Sequence, residues 1–315
     1  MPAPRLISPA EAVRASIAGE DLATAAARAG LTADDLADAI SAYHLAGTTA
    51  LEQRDASRWH QVRVRPAANN SAEHTLAAVV GPRLDTFAEQ GGTSGWWFMR
   101  KEPGWRIRLR DADIDAARHL FDGLVADGTI VEWTPTIYEP ETAAFGGDDG
   151  MAIVHALFQA DTRGVLGYLR HERPPLGRRE MSFLLINAML VGAGLDWFER
   201  GDVFFRTAAL RPPHEDSGDL ANLTKQLASL LAVPPGDETP LFADGGPLAF
   251  TADWREAFAE AGGRLTRAAA SGFLNRGLRA VLAHVLIFHW NRVGLSATTQ
   301  AILTNAAARA CISVE

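Results

Sequence analysis

Residues 96–110 read WWFMRKEPGWRIRLR, and the last five alternate without a break: Arg106, Ile107, Arg108, Leu109, Arg110. Alternation with period two predicts a half-buried β-strand. Such a strand puts three guanidinium groups on one face and the two aliphatics on the other. Three like charges in a row repel unless something anionic lies across them, and a guanidinium fork suits a carboxylate or a phosphate. From the residues alone the anion has two sources: a ligand, or the chain's own acids such as Glu139 and Glu141.

The flanking segments predict an α+β fold: a mixed sheet with packed helices, a helix-rich C-terminal half and a small helical N-terminal segment. Residues 8–51 read as helical. Ser8-Pro9 followed by Glu11 forms one helix start. Thr32 before Asp34 and Asp35 forms a second, and Gly30 and Gly47 punctuate the ends. At Trp59 the pattern changes to WHQVRVRP, which alternates like a strand and ends at Pro66. The chain is therefore divided into a helical segment, 1–57, and a main domain, 58–315. Helices are predicted over 71–90 and 111–127, with Gly128 as a stop. TIVEWTPTIYEPE, carrying Glu139 and Glu141, reads as a further strand. Beyond it, helices are predicted over 150–171, 177–197, 217–231, 253–262 and 270–310. The segments 210–218 and 233–247, rich in Pro, Gly and acid, are surface connections.

The net charge of −8 over 315 residues argues against a general binder of nucleic acid or acidic membranes and makes the arginine strand a local basic site on an acidic protein. Cys311 is the only cysteine, which excludes an internal disulfide and a cysteine-rich zinc site and fits a reducing cytoplasm. The N-terminus lacks the pattern of a secretory signal, and no apolar run approaches the roughly 18 residues of a membrane span.

Four segments, taken in order, carry a resemblance: WWFMRKEPGWRIRLR, IYEPETAAFGGDDGMAIVHALFQADT, GRREMSFLLINAMLVGAGLDWFERGDVF and RGLRAVLAHVLIFHWNRVGLS. From about Trp59 to the C-terminus the chain resembles the thiopeptide-type bacteriocin biosynthesis family, which is similar to the C-terminal elimination domain of class I lanthipeptide dehydratases. The resemblance implies an enzyme acting on a ribosomally made precursor peptide, leader and core, with no metal and no organic cofactor. In one reaction of the family, a separate glutamylating subunit esterifies a peptide serine or threonine, and the elimination domain then expels glutamate to leave a dehydroamino acid. In another, pyridine synthases join two dehydroalanines in a formal [4+2] cycloaddition and release water and leader.

The resemblance also implies roles. Arg108 and Arg110 match the family's paired arginines and are expected to hold the carboxylates of the glutamyl group, with Arg106 beside them. His289, in FHWNR, falls at or near the family's C-terminal histidine and is expected to move the proton. Asn291 and Arg292 follow it, and a helix puts His289 and Arg292 on one face. Nisin-type dehydratases carry an arginine before the Gly-Gly pair; here that position is Ala144, which leaves a cation to be supplied elsewhere or a different reaction.

Each of these residues also has a plainer reading. His289 also reads, as the lesser alternative, as a core histidine bonded to backbone. His155 is a second proton carrier or, by preference, a buried and satisfied histidine. Gly146-Gly147 cradles an anion or, more commonly, makes a turn needing positive φ. Trp96, Trp97 and Trp105 are core or the walls of a peptide groove. His284, five residues before His289, points elsewhere and is assigned to structure. Three functions follow: glutamate elimination, pyridine synthesis, and a non-catalytic subunit that binds leader peptide through residues 1–57. The apolar C-terminal helices are compatible with a homodimer without requiring one.

Overall fold

The arginine run forms the second arm of a hairpin at the centre of the main unit. In the computed structural model, which describes residues 6–67, 72–212 and 220–312, the chain divides into two units, Met1–Arg58 and Trp59–Glu315.

The first unit contains α1 (Pro9–Ile17), α2 (Leu22–Ala29) and α3 (Ala33–Ser57). Ser8 and Glu11 form a reciprocal capping box on α1. The Thr32 hydroxyl accepts from the Asp35 N–H, 3.1 Å, and Gly30 ends α2 at φ 70°. The core of this unit is small: Ala12, Val13, Ala25, Ala26 and Leu36. Gly47 was expected to end a helix but lies within α3; one glycine costs only about 1 kcal/mol in a helix.

The second unit is built on a four-stranded antiparallel sheet in the order β2-β3-β1-β4: β1 Trp59–Pro66, β2 Gly95–Lys101, β3 Gly104–Arg110 and β4 Ile130–Thr136. Between β1 and β2 run α4 (Ala72–Thr75), a π-helical turn (Leu76–Val80) and α5 (Gly81–Glu89); α6 (Ile114–Ala126) joins β3 to β4. Val62, Val64, Phe98, Ile107 and Leu109, all but inaccessible to solvent, share a core with Leu84, Ala117, Phe121 and Leu124 of α5 and α6. Burying each large side chain there contributes roughly 1.5–3 kcal/mol.

The helical half contains α7 (Asp148–Arg170), α8 (Arg178–Gly192), α9 (Trp197–Leu210), α10 (Leu220–Leu231), α11 (Ala252–Ala270), α12 (Leu278–Val293) and α13 (Ala297–Ile312). Residues Met181–Leu190 of α8 are buried all round, as in a central helix. The edge strand β2 is covered by side chains of α7 and α12 in place of another strand. Phe98 N–H donates to the Thr162 hydroxyl, 3.3 Å, and Phe98 C=O accepts from Arg292 Nε, 3.0 Å.

Several expected boundaries move. The expected helix over 270–310 is two helices, because Gly294 adopts φ 85° and Ser296 accepts from the Thr299 N–H, 3.1 Å. Helix α9 lies beyond the expected 177–197 segment and is opened by an Asp196/Glu199 capping box. Helix α11 extends well past the expected 253–262. The expected surface connection 210–218 lies largely outside the described residues. Glu139 and Glu141 are not on a strand: β4 ends at Thr136, and both acids are exposed in the segment that follows. Pro135 and Pro140, which lack an N–H, suit an edge strand that stops there.

Candidate functional site

The register of β3 puts its arginines on one face of the sheet. Arg106, Arg108 and Arg110 pair across β1 with Arg63, Gln61 and Trp59, and across β2 with Met99, Trp97 and Gly95. Ile107 and Leu109 are buried on the opposite face. The arginine face is covered in part by Tyr138, from the segment after β4, and by His155 of α7.

Arg108 is 3% exposed. Its guanidinium lies 4.1 Å from the Trp97 ring centre and 4.4 Å from that of Tyr138, and Arg108 Nε donates to Gln61 Oε1, 2.8 Å. Gln61 is itself fixed, its amide donating to the Thr136 hydroxyl, 2.8 Å, and to Ile137 C=O, 3.0 Å. Burial pulls the Arg108 pKa down to about 10, against the opposing influence of Tyr138 and Glu141, so it remains a cation at neutral pH. Among the described residues no carboxylate forms an ion pair with Arg106 or Arg108, and Arg110 approaches only Asp111, at 3.8 Å. Arg106 Nε, Arg108 Nη1 and Arg110 Nε are buried without a hydrogen-bond partner. Buried donors are normally paired, so these nitrogens leave hydrogen-bonding capacity unmet on one face, with Asp111 as the one carboxylate near Arg110 Nε. The expectation that Glu139 and Glu141 pair with these arginines is not met. Glu141 acts on Arg108 only through its charge at a distance.

His155 Nε2 and the Tyr138 hydroxyl are hydrogen-bonded at 2.8 Å, with the Trp59 ring 4.6 Å from the imidazole. Burial, then Arg108 and Arg110, push the His155 pKa down to about 3, so the ring is neutral near pH 7 and suited to a hydrogen-bonding role.

A second cluster also meets Trp97. Arg292 sits 5.5 Å from the Trp97 ring centre and 4.7 Å from that of Phe158. Its Nη1 meets Asp161 Oδ2 in a short ion pair. Asp161 also accepts from Trp254 Nε1, 2.8 Å, and contacts His289 Nδ1 at 3.0 Å through both oxygens. Burial raises the Asp161 carboxyl, but His289 and Arg292 outweigh it and hold the group below the usual carboxylate range. All three side chains are buried. His289 Nε2 and Arg292 Nη2 have no partner among the described residues. His289 and Arg292 thus share a helix face, but they share it around an interior carboxylate.

The remaining expected residues have partners within the fold. Asn291 Oδ1 accepts from Gln300 Nε2, 2.9 Å, joining α12 to α13. Gly146 and Gly147 take φ 84° and 102°; Gly146 C=O accepts from Asn275 N–H, 3.0 Å, and an added Cβ would crowd Leu274 and Asn275. The pair forms a turn that packs against the segment before α12. His284 Nδ1 contacts Ala280 C=O, 3.1 Å, as a structural histidine would. Trp96 and Trp105 are core, and Trp97 is the wall common to both clusters. At Ala144, where the resemblance calls for an arginine, Arg276 Nη1 reaches the backbone C=O, 3.4 Å.

Asp161, Gln61 and Tyr138 were not anticipated as site residues. Asp161 left a readable signal: it occupies the apolar stripe Val154, Leu157, Phe158, Asp161, Val165 at helical spacing, where a lone acid needs a buried cation. Among the described residues no group of three or more His, Cys, Asp or Glu is placed to hold a metal ion, and no helix is long and apolar enough to cross a membrane.

Residues 59–311 match the family model described as "Lantibiotic biosynthesis dehydratase C-term". Among solved structures the chain is similar to the tRNA-dependent lantibiotic dehydratase MibB from Microbispora sp. 107891, with a TM-score of 0.57 and 19% identity over 81% of this chain; it spans 28% of MibB. It is also similar to TbtD, a pyridine synthase from thiomuracin biosynthesis, with a TM-score of 0.54 and 17% identity over 81% of this chain and 97% of TbtD. For TsrL the TM-score is 0.52 and the identity 16%, over 80% of this chain and 93% of TsrL. At these identities the likeness concerns the fold. No curated protein sequence matches this chain.

Proposed function

The chain belongs to the lantibiotic biosynthesis dehydratase C-terminal family, and on that footing we propose that it removes glutamate from glutamyl esters of serine or threonine in a ribosomally made peptide, leaving dehydroamino acids. The observation that carries this reading is the pair of buried guanidinium nitrogens on Arg106 and Arg108 that have no hydrogen-bond partner, with Arg110 beside them on the same face.

In the reaction a base takes the Cα proton, the electron pair forms the Cα=Cβ bond, and the Cβ–O bond breaks to release glutamate. The arginine face binds the glutamyl carboxylates and stabilises the departing one, with Arg108 buried and Arg106 and Arg110 partly exposed. His289 is assigned the proton. Asp161 at Nδ1 compensates the charge of an imidazolium and leaves Nε2 free, whereas His155, beside two arginines, is unsuited to storing a proton. Tyr138 and His155 orient the bound anion. Arg276 supplies a cation near Ala144. Ester formation falls to a separate glutamylating subunit, and neither step assigned here calls for a metal or cofactor.

Ala144 itself favours a second reading. With no arginine side chain at that position, the site is open to a pyridine synthase joining two dehydroalanines and releasing water and leader. A non-catalytic leader-binding subunit is distinguished from both by Arg110→Ala, which would then change nothing in turnover.

Mass spectrometry of a glutamylated model precursor incubated with the full chain tests the proposal. Stepwise loss of whole glutamates, with dehydroalanine left behind, is the expected result. An unchanged peptide overturns it and makes the dehydrated, thiazole-bearing peptide the next substrate.

A further inference from the structure

The arginine face does not end at the buried site. Past Arg108 it opens into a groove of about 360 Å³, where Arg106 of β3 is joined by Arg63 and Arg65 of β1 and by Lys101 at the β2–β3 turn. Two acids, Glu102 and Glu132, also line it, so four cations face two carboxylates on a chain whose net charge is −8. Glu132 is committed to Arg65, 2.9 Å. Arg63 and Arg106 are direct cross-strand neighbours, like charges placed side by side, and among the described residues neither they nor Lys101 have an ion-pair partner. Adjacent like charges on a sheet are destabilising unless an anion bridges them.

We propose that this groove binds an acidic segment of the peptide substrate, next to the residue that undergoes reaction. The inference rests on the reading of the arginine face as a peptide-modifying site and adds what that peptide must look like. The cations are spread across strands about 5 Å apart and along strands whose same-face side chains repeat roughly every 6.6 Å, so a single carboxylate cannot meet them. Carboxylates spaced along an extended peptide can. Arg106 belongs to both the groove and the buried site, so a segment seated in the groove leads directly to Arg108. Nucleic acid fits less well, since the groove is short, carries Glu102 and Glu132, and lies on an acidic chain.

The test is fluorescence anisotropy of a labelled oligoglutamate peptide with the full chain, beside an oligoglutamine peptide of equal length and a short single-stranded RNA. Arg63→Glu/Lys101→Glu changes two groove cations, and circular dichroism checks its fold; Arg63→Gln/Lys101→Gln repeats the test with a milder change. The expected result is binding of oligoglutamate alone, weakened about tenfold or more by either double variant and by raising salt to about 0.3 M. No binding of oligoglutamate, equal binding by the variants, or tighter binding of RNA overturns the proposal. Oligoglutamate binding without glutamate loss from a glutamylated precursor would leave the groove standing and sink the elimination reading. Elimination at equal rates from precursors with acidic and neutral flanks would do the reverse.

Discussion

Two clusters share the Trp97 indole, and both are made of an arginine, a histidine and aromatic rings. In one, Arg292 and His289 close around Asp161, and the charges are compensated inside the protein. In the other, Arg108 lies between Trp97 and Tyr138 beside His155, with no carboxylate in contact. One carboxylate separates the two clusters: the first is compensated within the protein and the second is not. Where the protein supplies the anion, the cation is spent on the fold. Where it does not, the aromatic rings keep the guanidinium buried and charged, with part of its hydrogen-bonding capacity unmet.

Removing the carboxylate should break this contrast with the largest effect. Asp161→Ala leaves Arg292 buried without its counter-charge and strips His289 of its partner, at a cost of about 3–5 kcal/mol. Thermal denaturation should show Tm lowered by on the order of 10 °C; an unchanged Tm would mean that this cluster does not brace the fold. Arg108→Met probes the other cluster. It removes a charge the protein does not compensate, so Tm should stay within about 3 °C, while glutamate elimination falls by about 100-fold or more. A collapse of Tm like that of Asp161→Ala would make Arg108 a structural residue and erase the distinction. The smallest effect concerns His155. Unfolded, it takes up a proton below its ordinary value of 6.5, whereas the folded ring refuses one until about 3. Its contribution to stability is therefore complete above pH 6.5 and is lost as the pH falls toward 3. At about 1.4 kcal/mol per pH unit, it amounts to about 2 kcal/mol by pH 5. Urea denaturation across that range should show the decline in the natural chain and a flatter profile in His155→Gln. Equal slopes would mean that His155 is not held neutral by its surroundings.

The alternation of residues 106–110 determined a strand, its two faces and a basic face wanting an anion, because a strand's side-chain period is fixed by the backbone and needs no knowledge of neighbours. The α+β class and most helices were legible for the same reason: periodicity, caps and prolines act within a few residues. Helix limits near Gly47, Gly294 and Trp197 were not, since a cap or a glycine sets a local preference that packing can override. Nor could the sequence decide what lies across the arginines. Glu139 and Glu141 looked placed to meet them until β4 ended at Thr136. Asp161, 53 residues from Arg108 in the chain and on a different element, proved to be the acid that matters, by pairing with Arg292 and leaving Arg108 alone. Which cation receives the buried carboxylate depends on which helix crosses the edge of β2. That crossing is fixed by the packing of α7 and α12 over the whole unit, a many-body result that no local stretch of sequence contains.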